Sequence, residues 1–402
     1  MAGGPPADAP VVYLHVGGMK TGTSFLQSLL IENRDALTAE GVLFPGGEWG
    51  AQGRAVRDIL QLALPSSSGT AAPDERLVGA WPRLRAEMLA HRGRASVVSM
   101  EFLSFATPEQ ARSVVDSLAP APVEVILTVR DATRVLPAKW QETTQNRGTL
   151  SWSQWCDGIT AAPGPHNRAR RSAMRAVAVP RMVRSWLPAV GVDRLHVVTV
   201  PPAGNPPRQL WQRFAEVLGL DEGGYRLPER ANESLGHVSA ELLRRLNLRL
   251  GDLPFRTYVR TVKYVLAKQV LARRTGEPPV LLPERLLPFA EQCNRRTVRA
   301  VHEQQIRVVG DLGDLNASSR LDPGIVKVGE HDLLCAASDA ARGLRQQLAE
   351  DDIMLSTEPA DIAGSLDDAL AHLVRLVIEA GCRMPEPAAP HLCSPEPSVE
   401  RT

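Results

Sequence analysis

The chain has 402 residues, and its 46 Lys and Arg against 45 Asp and Glu leave a formal net charge of +1, so no global basic field argues for nucleic acid. Hydrophobic residues make up 44% of it, enough to bury a large core, and at roughly 150 residues per domain the length suits one α/β core with an elaboration. The five cysteines, Cys156, Cys293, Cys335, Cys382 and Cys393, include no C-x-x-C pair and no matching histidines, which argues for reduced thiols and against a disulfide framework or zinc site.

Residues 1–10, MAGGPPADAP, read as a disordered tail without the basic start and apolar core of a signal peptide. No apolar run approaches the ~20 residues that span a bilayer. The expectation is a cytoplasmic protein with no transmembrane segment. Residues 11–16, VVYLHV, predict a buried strand that breaks at Gly17 and Gly18. After Met19 and Lys20 the pattern turns helical, with Phe25, Leu26, Leu29 and Leu30 on one face. Strand, Gly-rich turn, then helix is how a backbone builds an anion cradle, because free N–H groups and the helix dipole converge there. Gly18, Lys20, Thr21, Gly22, Thr23 and Ser24 are the binding set this predicts, for a phosphorylated or sulfated nucleotide.

Further on, residues 39–44 give a short turn and apolar piece, 46–53 a loop, and 65–73 a Ser/Ala/Gly/Pro linker. Residues 76–91 predict a helix, and 95–100 a second strand with Glu101 just past its end. Thr107, Pro108 and Gln110 spell a helix start with a capping box. Residues 123–129, VEVILTV, predict a third strand ended by Arg130 and Asp131, and 195–200 a fourth. Asn205, as a cap before Pro206 and Pro207, opens a helix to about residue 220. Strands alternating with helices predict a three-layer α/β/α fold with a central parallel sheet. Ligands gather beyond the C-terminal ends of such strands, where Lys20, Glu101 and Arg130 all fall.

Past residue 220 the pattern is mostly helical. The domain reading is a nucleotide-binding core over 11–220, a helical extension over 221–325, and a C-terminal helical segment with a Pro-rich tail over 326–402. A basic run, Arg256, Arg260, Lys263, Lys268, Arg273 and Arg274, reads either as a solvated helix face or as a surface for an anionic substrate or membrane headgroups.

The order of residues in the first turn is informative. A nucleoside-triphosphate P-loop places Lys directly after its second glycine. Here Gly17 and Gly22 keep the glycine spacing, but Thr23 holds that position and the lysine sits inside the loop at Lys20. This K-T-G-T-S arrangement resembles the 5′-phosphosulfate loop of sulfotransferases that use 3′-phosphoadenosine 5′-phosphosulfate. The resemblance implies that Lys20 contacts the phosphosulfate and assists the departing phosphate oxygen, with no metal required. Val129-Arg130-Asp131 resembles the family's 3′-phosphate motif, but the Ser expected eight residues after the Arg is Ala138. Either Lys139 or a nearby side chain replaces it, or the 3′-phosphate contact is weaker. Residues 136–142, Asn232-Glu233-Ser234 and Val309-Gly310-Asp311-Leu312 resemble an actinobacterial branch of sulfotransferase-like proteins.

Members of the family use a His or Glu after a central strand to deprotonate the acceptor. Glu101 is the first candidate, since Phe102 and Phe105 would desolvate it and raise its pKa toward working pH. His15, two residues before the loop, is the rival; His166 and His237 are supported by residue type alone. The expected acceptor is a hydroxyl of a small metabolite, sugar or lipid, read in part by the helical extension, with peripheral membrane contact allowed. Two competing readings stand beside it. One is a P-loop phosphotransferase, which requires a Lys after Gly22 and an acidic magnesium ligand at a strand end. The other is a non-catalytic nucleotide-binding protein, a reading Ala138 favours.

Overall fold

The computed structural model describes residues 10–47, 50–62, 77–228, 234–316, 321–322, 326–357 and 364–385. The predicted linker at 65–73, nearly all of both terminal tails, and Asn232 and Glu233 lie outside them. Six strands form one sheet: β1 (Val11–His15), β2 (Val42–Leu43), β3 (Ala95–Ser99), β4 (Val123–Val129), β5 (Leu195–Thr199) and β6 (Arg307–Val309). Their order is β2-β3-β1-β4-β5-β6, and every neighbouring pair is parallel. The four inner strands are largely apolar and almost wholly buried, as a parallel sheet covered on both faces requires.

Alternation along each strand builds two cores. Val12 and Leu14 of β1 join Leu127 and Val197 in one, packed against helices Ala51–Ile59, Ala80–Ala90, Pro108–Ser117 and Val179–Val190. Tyr13 joins Ile126 and Val198 in the other, under helices Thr23–Glu32 and Arg208–Leu218. The fold is therefore the expected three-layer α/β/α. From β1 the chain runs outward to β2 and returns through β3; from β4 it leaves the other way, to β5 and β6. β1 and β4 are neighbours whose outgoing connections part. That is the switch point at which such sheets hold ligands.

A third core lies outside the sheet. Trp140, Trp152 and Trp155, each at most 2% exposed, pack with helices His237–Asn247, Glu330–Glu350 and Leu366–Arg383 and the π-helix Val259–Val270. These tryptophans are structural. Much of the basic run is tied up here as well. Arg260 donates to the carbonyls of Gly381 and Pro385, Lys263 to Asn146, and Arg274 pairs with Glu277 and Asp339. Among the described residues no helix is long and apolar enough to cross a membrane.

Local expectations need four adjustments. The stretch 46–53 is not all loop, because helix Ala51–Ile59 starts inside it after Gly50 at φ 88°. The helix expected from residue 76 has its described form over Ala80–Ala90. The helix expected after Asn205 begins at Arg208 with Pro207 at the cap, and Asn205 makes no cap bond to it. The region past 220 contributes β6 to the sheet, paired to β5 through Val197 and Val308.

Candidate anion-binding and catalytic site

The loop after β1 takes the shape its glycines allow. Lys20 and Gly22 both adopt positive φ, 65° and 85°, a conformation that costs a residue with a Cβ roughly 1–2 kcal/mol. Gly22 is the cap of the first helix, and no side chain caps it. The first-turn N–H groups therefore receive no side-chain cap. Gly17 and Gly18 are buried, Lys20 is partly exposed, and Ser24 is exposed.

Beneath the loop runs a chain of buried hydrogen bonds whose direction can be worked out. The Thr21 hydroxyl donates to the Gly18 carbonyl at 2.5 Å, using its single proton. It must therefore accept from Thr128 Oγ1, 2.7 Å away. Thr128, its proton spent, accepts from His15 Nε2 at 3.1 Å. His15 then carries its proton on Nε2, and Nδ1 accepts from the Ser99 hydroxyl at 2.7 Å. His15 and Ser99 are direct partners across β1 and β3, which sets the first contact. His15 is 0% exposed, and burial pulls its pKa from 6.5 to about 3. A neutral imidazole satisfies every link. Gly17 makes room for this chain: a Cβ there would lie 2.7 Å from Thr128 Oγ1, 2.8 Å from Thr23 Oγ1 and 2.9 Å from His15 Nε2.

The lysine of the loop is steered from the other side. Glu142, on helix Ala132–Gln145, lies 3.8 Å from Lys20 Nζ and 3.1 Å from Lys139 Nζ. Burial by itself would raise the Glu142 pKa, but Lys139 and Lys20 outweigh it and hold the carboxyl well below the usual range. Lys139 is fully buried, and its ammonium also reaches Met19 Sδ at 3.1 Å. Lys139 thus anchors Glu142, and Glu142 aims Lys20. Ala138 is on the same helix, partly exposed.

Arg130 follows β4 directly. Its Nη1 donates to the Lys20 carbonyl at 3.0 Å, so the strand end and the loop are bonded to each other. Its Nε is buried with no hydrogen-bond partner among the described residues. Burial and then Arg134 lower its pKa to about 10, with Asp131 opposing. It remains a cation at neutral pH. Asp131 is spent locally: it caps the following helix through the Thr133 N–H at 3.0 Å and accepts from Asn294 at 2.8 Å. Asn294 in turn accepts from the Ala132 N–H at 2.9 Å. A residue of helix Leu287–Glu303 thereby fixes the turn that presents Arg130.

Glu101 opens a short 3-10 helix, Glu101–Phe105, at the end of β3. The preceding Met100 N–H donates to the His15 carbonyl, so Glu101 sits beside the end of β1, partly exposed. Phe102 is buried, with Phe105 6.1 Å away in a stacked arrangement. The structure thus brings Lys20, Arg130 and Glu101 to adjoining strand ends, and puts His15, Thr21 and Thr23 below the loop. His166 is exposed; His237 packs edge-on against Trp140 in the third core. Sequence reasoning gave no role to Ser99, Thr128, Glu142 or Asn294. Of these only Glu142 had a local signal, its i,i+3 spacing from Lys139. Among the described residues no group of three His, Cys, Asp or Glu is placed to hold a metal ion.

The Gly-rich strand–loop–helix and the strand-end arginine thus meet at the switch point of an α/β fold with an all-parallel sheet, the place where such sheets hold ligands. No model of a known protein family matches the chain, and no curated protein does. Among solved structures it is similar to the crystal structure of a sulfotransferase from Alicyclobacillus acidocaldarius. The two share 18% identity over 63% of this chain and 94% of that one, with a TM-score of 0.36.

Proposed function

We propose that this protein is a sulfotransferase that moves a sulfuryl group from 3′-phosphoadenosine 5′-phosphosulfate to a hydroxyl of a small metabolite, sugar or lipid. The observation that carries the reading is Arg130. A mostly buried guanidinium keeps an unpartnered Nε while its Nη1 grips the backbone of the very lysine that lies in the loop. A buried cation with a donor to spare fits an anion, and the planar fork suits a phosphate.

The donor fits the residues present. The uncapped helix start and the Gly17–Gly18 turn would take the 5′-phosphosulfate, and Arg130 the 3′-phosphate. That molecule supplies an activated sulfur with an anionic leaving group. Lys20 would neutralise the charge that develops on the phosphate oxygen as the S–O bond to it breaks. Glu101 would accept the hydroxyl proton as the acceptor oxygen forms its own bond to sulfur. Positioning and electrostatics of this kind supply most of the rate in the related phosphoryl transfer.

Calorimetric titration with adenosine 3′,5′-bisphosphate tests it, with and without magnesium and beside ATP and GTP. The expected result is metal-independent bisphosphate binding, weakened on the order of tenfold or more in Lys20→Ala and Arg130→Ala. No binding, or a magnesium-dependent preference for ATP, refutes the reading and favours a phosphotransferase.

A further inference from the structure

Helix Ala132–Gln145 carries both Lys139 and Glu142, and its far end is held by the helical extension. Asn247 donates from Nδ2 to the carbonyls of Thr144 and Gly148, at 2.8 and 2.9 Å. Tyr258 donates its hydroxyl to Asn247 Oδ1 at 2.8 Å, and the Arg147 guanidinium lies 5.4 Å over the Tyr258 ring. A further tie brings a charge. Lys263 Nζ donates to Asn146 Oδ1 at 2.8 Å. The N–H of Asn146, the cap of the helix, donates to the Glu142 carbonyl at 2.9 Å.

Lys263 is a costly residue to place there. It is 4% exposed, on the π-helix Val259–Val270, whose Val262, Val265, Leu266 and Ala267 belong to the third core. Burying an ammonium costs hydration that an apolar side chain of similar length does not lose. Its ammonium also acts on Glu142. Burial raises the Glu142 pKa, and Lys139, Lys20 and then Lys263 lower it. The carboxylate in question is the one 3.8 Å from Lys20 Nζ. Lys263, Asn146, Glu142 and Lys20 are thus connected in turn by a hydrogen bond, one turn of helix and an ion pair.

We propose that Lys263 is a positioning residue for Lys20, acting through Asn146 on the helix end that bears Glu142, so that the helical extension forms part of the donor site. The inference rests on the sulfuryl-transfer reading and adds to it a residue from outside the sheet. Without the Lys263 tie the Glu142 turn is held less firmly, and Lys20 with it.

The test is a double-mutant cycle read by calorimetric titration with adenosine 3′,5′-bisphosphate. Lys20→Ala is the second background, since Arg130 remains there to hold the bisphosphate. Lys263→Met is expected to weaken binding about threefold or more when Lys20 is present, and to change it by less than about twofold in Lys20→Ala, because coupled residues depart from additivity and independent ones do not. A residue that serves the fold alone would cost the same in both backgrounds. Asn146→Ala cuts the same link without removing a buried charge, is expected to give the same pattern, and decides the matter if Lys263→Met fails to fold. Equal losses in the two backgrounds, or unweakened binding when Lys20 is present, overturn the positioning role. A wild-type protein that does not bind the bisphosphate at all gives a different result and removes the sulfuryl-transfer reading itself, and this role with it.

Discussion

His15 should make this fold acid-sensitive in a defined interval. The imidazole is buried, donates from Nε2 to Thr128 and accepts at Nδ1 from Ser99, so a second proton has no acceptor unless the chain reverses. Burial takes its pKa from 6.5 to about 3. Below 6.5 the unfolded chain binds a proton that the folded protein refuses, so stability falls as pH drops and keeps falling until about pH 3. At ~1.4 kcal/mol per pH unit for one proton, the whole interval is worth about 5 kcal/mol. Between pH 6.5 and 4.5 it amounts to roughly 2–3 kcal/mol. Urea unfolding across that range should show the loss in the wild type and a flatter profile in His15→Gln, which keeps a donor and an acceptor but does not titrate. The depressed histidines His237 and His372 are common to both proteins and cancel in the difference. Imidazole nitrogen shifts at pH 5 should report a neutral ring protonated at Nε2. Parallel pH profiles, or an imidazolium at pH 5, would refute the reasoning.

Lys139→Met removes the strongest of the cations that hold the buried Glu142 carboxylate, leaving Lys20 and Lys263, and denaturant unfolding should register a loss of about 3–5 kcal/mol. Lys139→Met with Glu142→Leu should regain most of that stability in the same measurement, yet bind the bisphosphate less well because nothing then aims Lys20. Gly17→Ala drives a methyl into Thr128, Thr23 and His15, and thermal unfolding should show about 1–3 kcal/mol of overpacking cost together with weakened bisphosphate binding. Glu101→Gln should lower sulfuryl transfer by about 100- to 10,000-fold, the range for loss of a general base, while calorimetry finds the bisphosphate affinity unchanged. A Glu101→Gln protein as active as wild type would reassign the base.

The elements that announced themselves in sequence are those whose signal is local. β1 and β4 are apolar runs cut off by Gly17 and by Arg130, and the capping box at Thr107 formed with both of its bonds. β6 was hidden because an edge strand of three residues, Arg307–Val309, has no room for a pattern and begins exposed. The helix at Ala51–Ile59 carries Gly53 and two arginines among few apolar residues, so its buried face is too narrow to read. Helix Arg208–Leu218 starts late because Pro206 and Pro207 follow Asn205 and bias its backbone away from the helical region. For the candidate site, Lys20, Arg130 and Glu101 could be expected at adjoining strand ends because each directly follows a strand or strand loop with a local signal. Ser99, Thr128 and Asn294 could not. Their partners His15, Thr21 and Asp131 lie 84, 107 and 163 residues away, and only the strand order and the returning C-terminal helices bring them together.

That long-range wiring explains how the loop can hold a positive-φ lysine without disorder. Lys20 is fixed at three points by three different parts of the chain. Arg130 binds its carbonyl, Glu142 its ammonium, and the Thr21–Thr128–His15–Ser99 chain sets the peptide plane next to it. The charges that do this are mostly positive. Lys20, Lys139, Arg130 and Arg134 cluster around Glu142 and the committed Asp131, in a protein whose formal net charge is only +1. Such an excess of half-desolvated cations is electrostatically unfavourable by itself and becomes favourable when an anion enters. The helical extension matters for the same reason. Through Asn294 it holds Asp131 and the Ala132 N–H at the start of the helix after Arg130, so the turn that carries Arg130 is fixed from the C-terminal part of the chain.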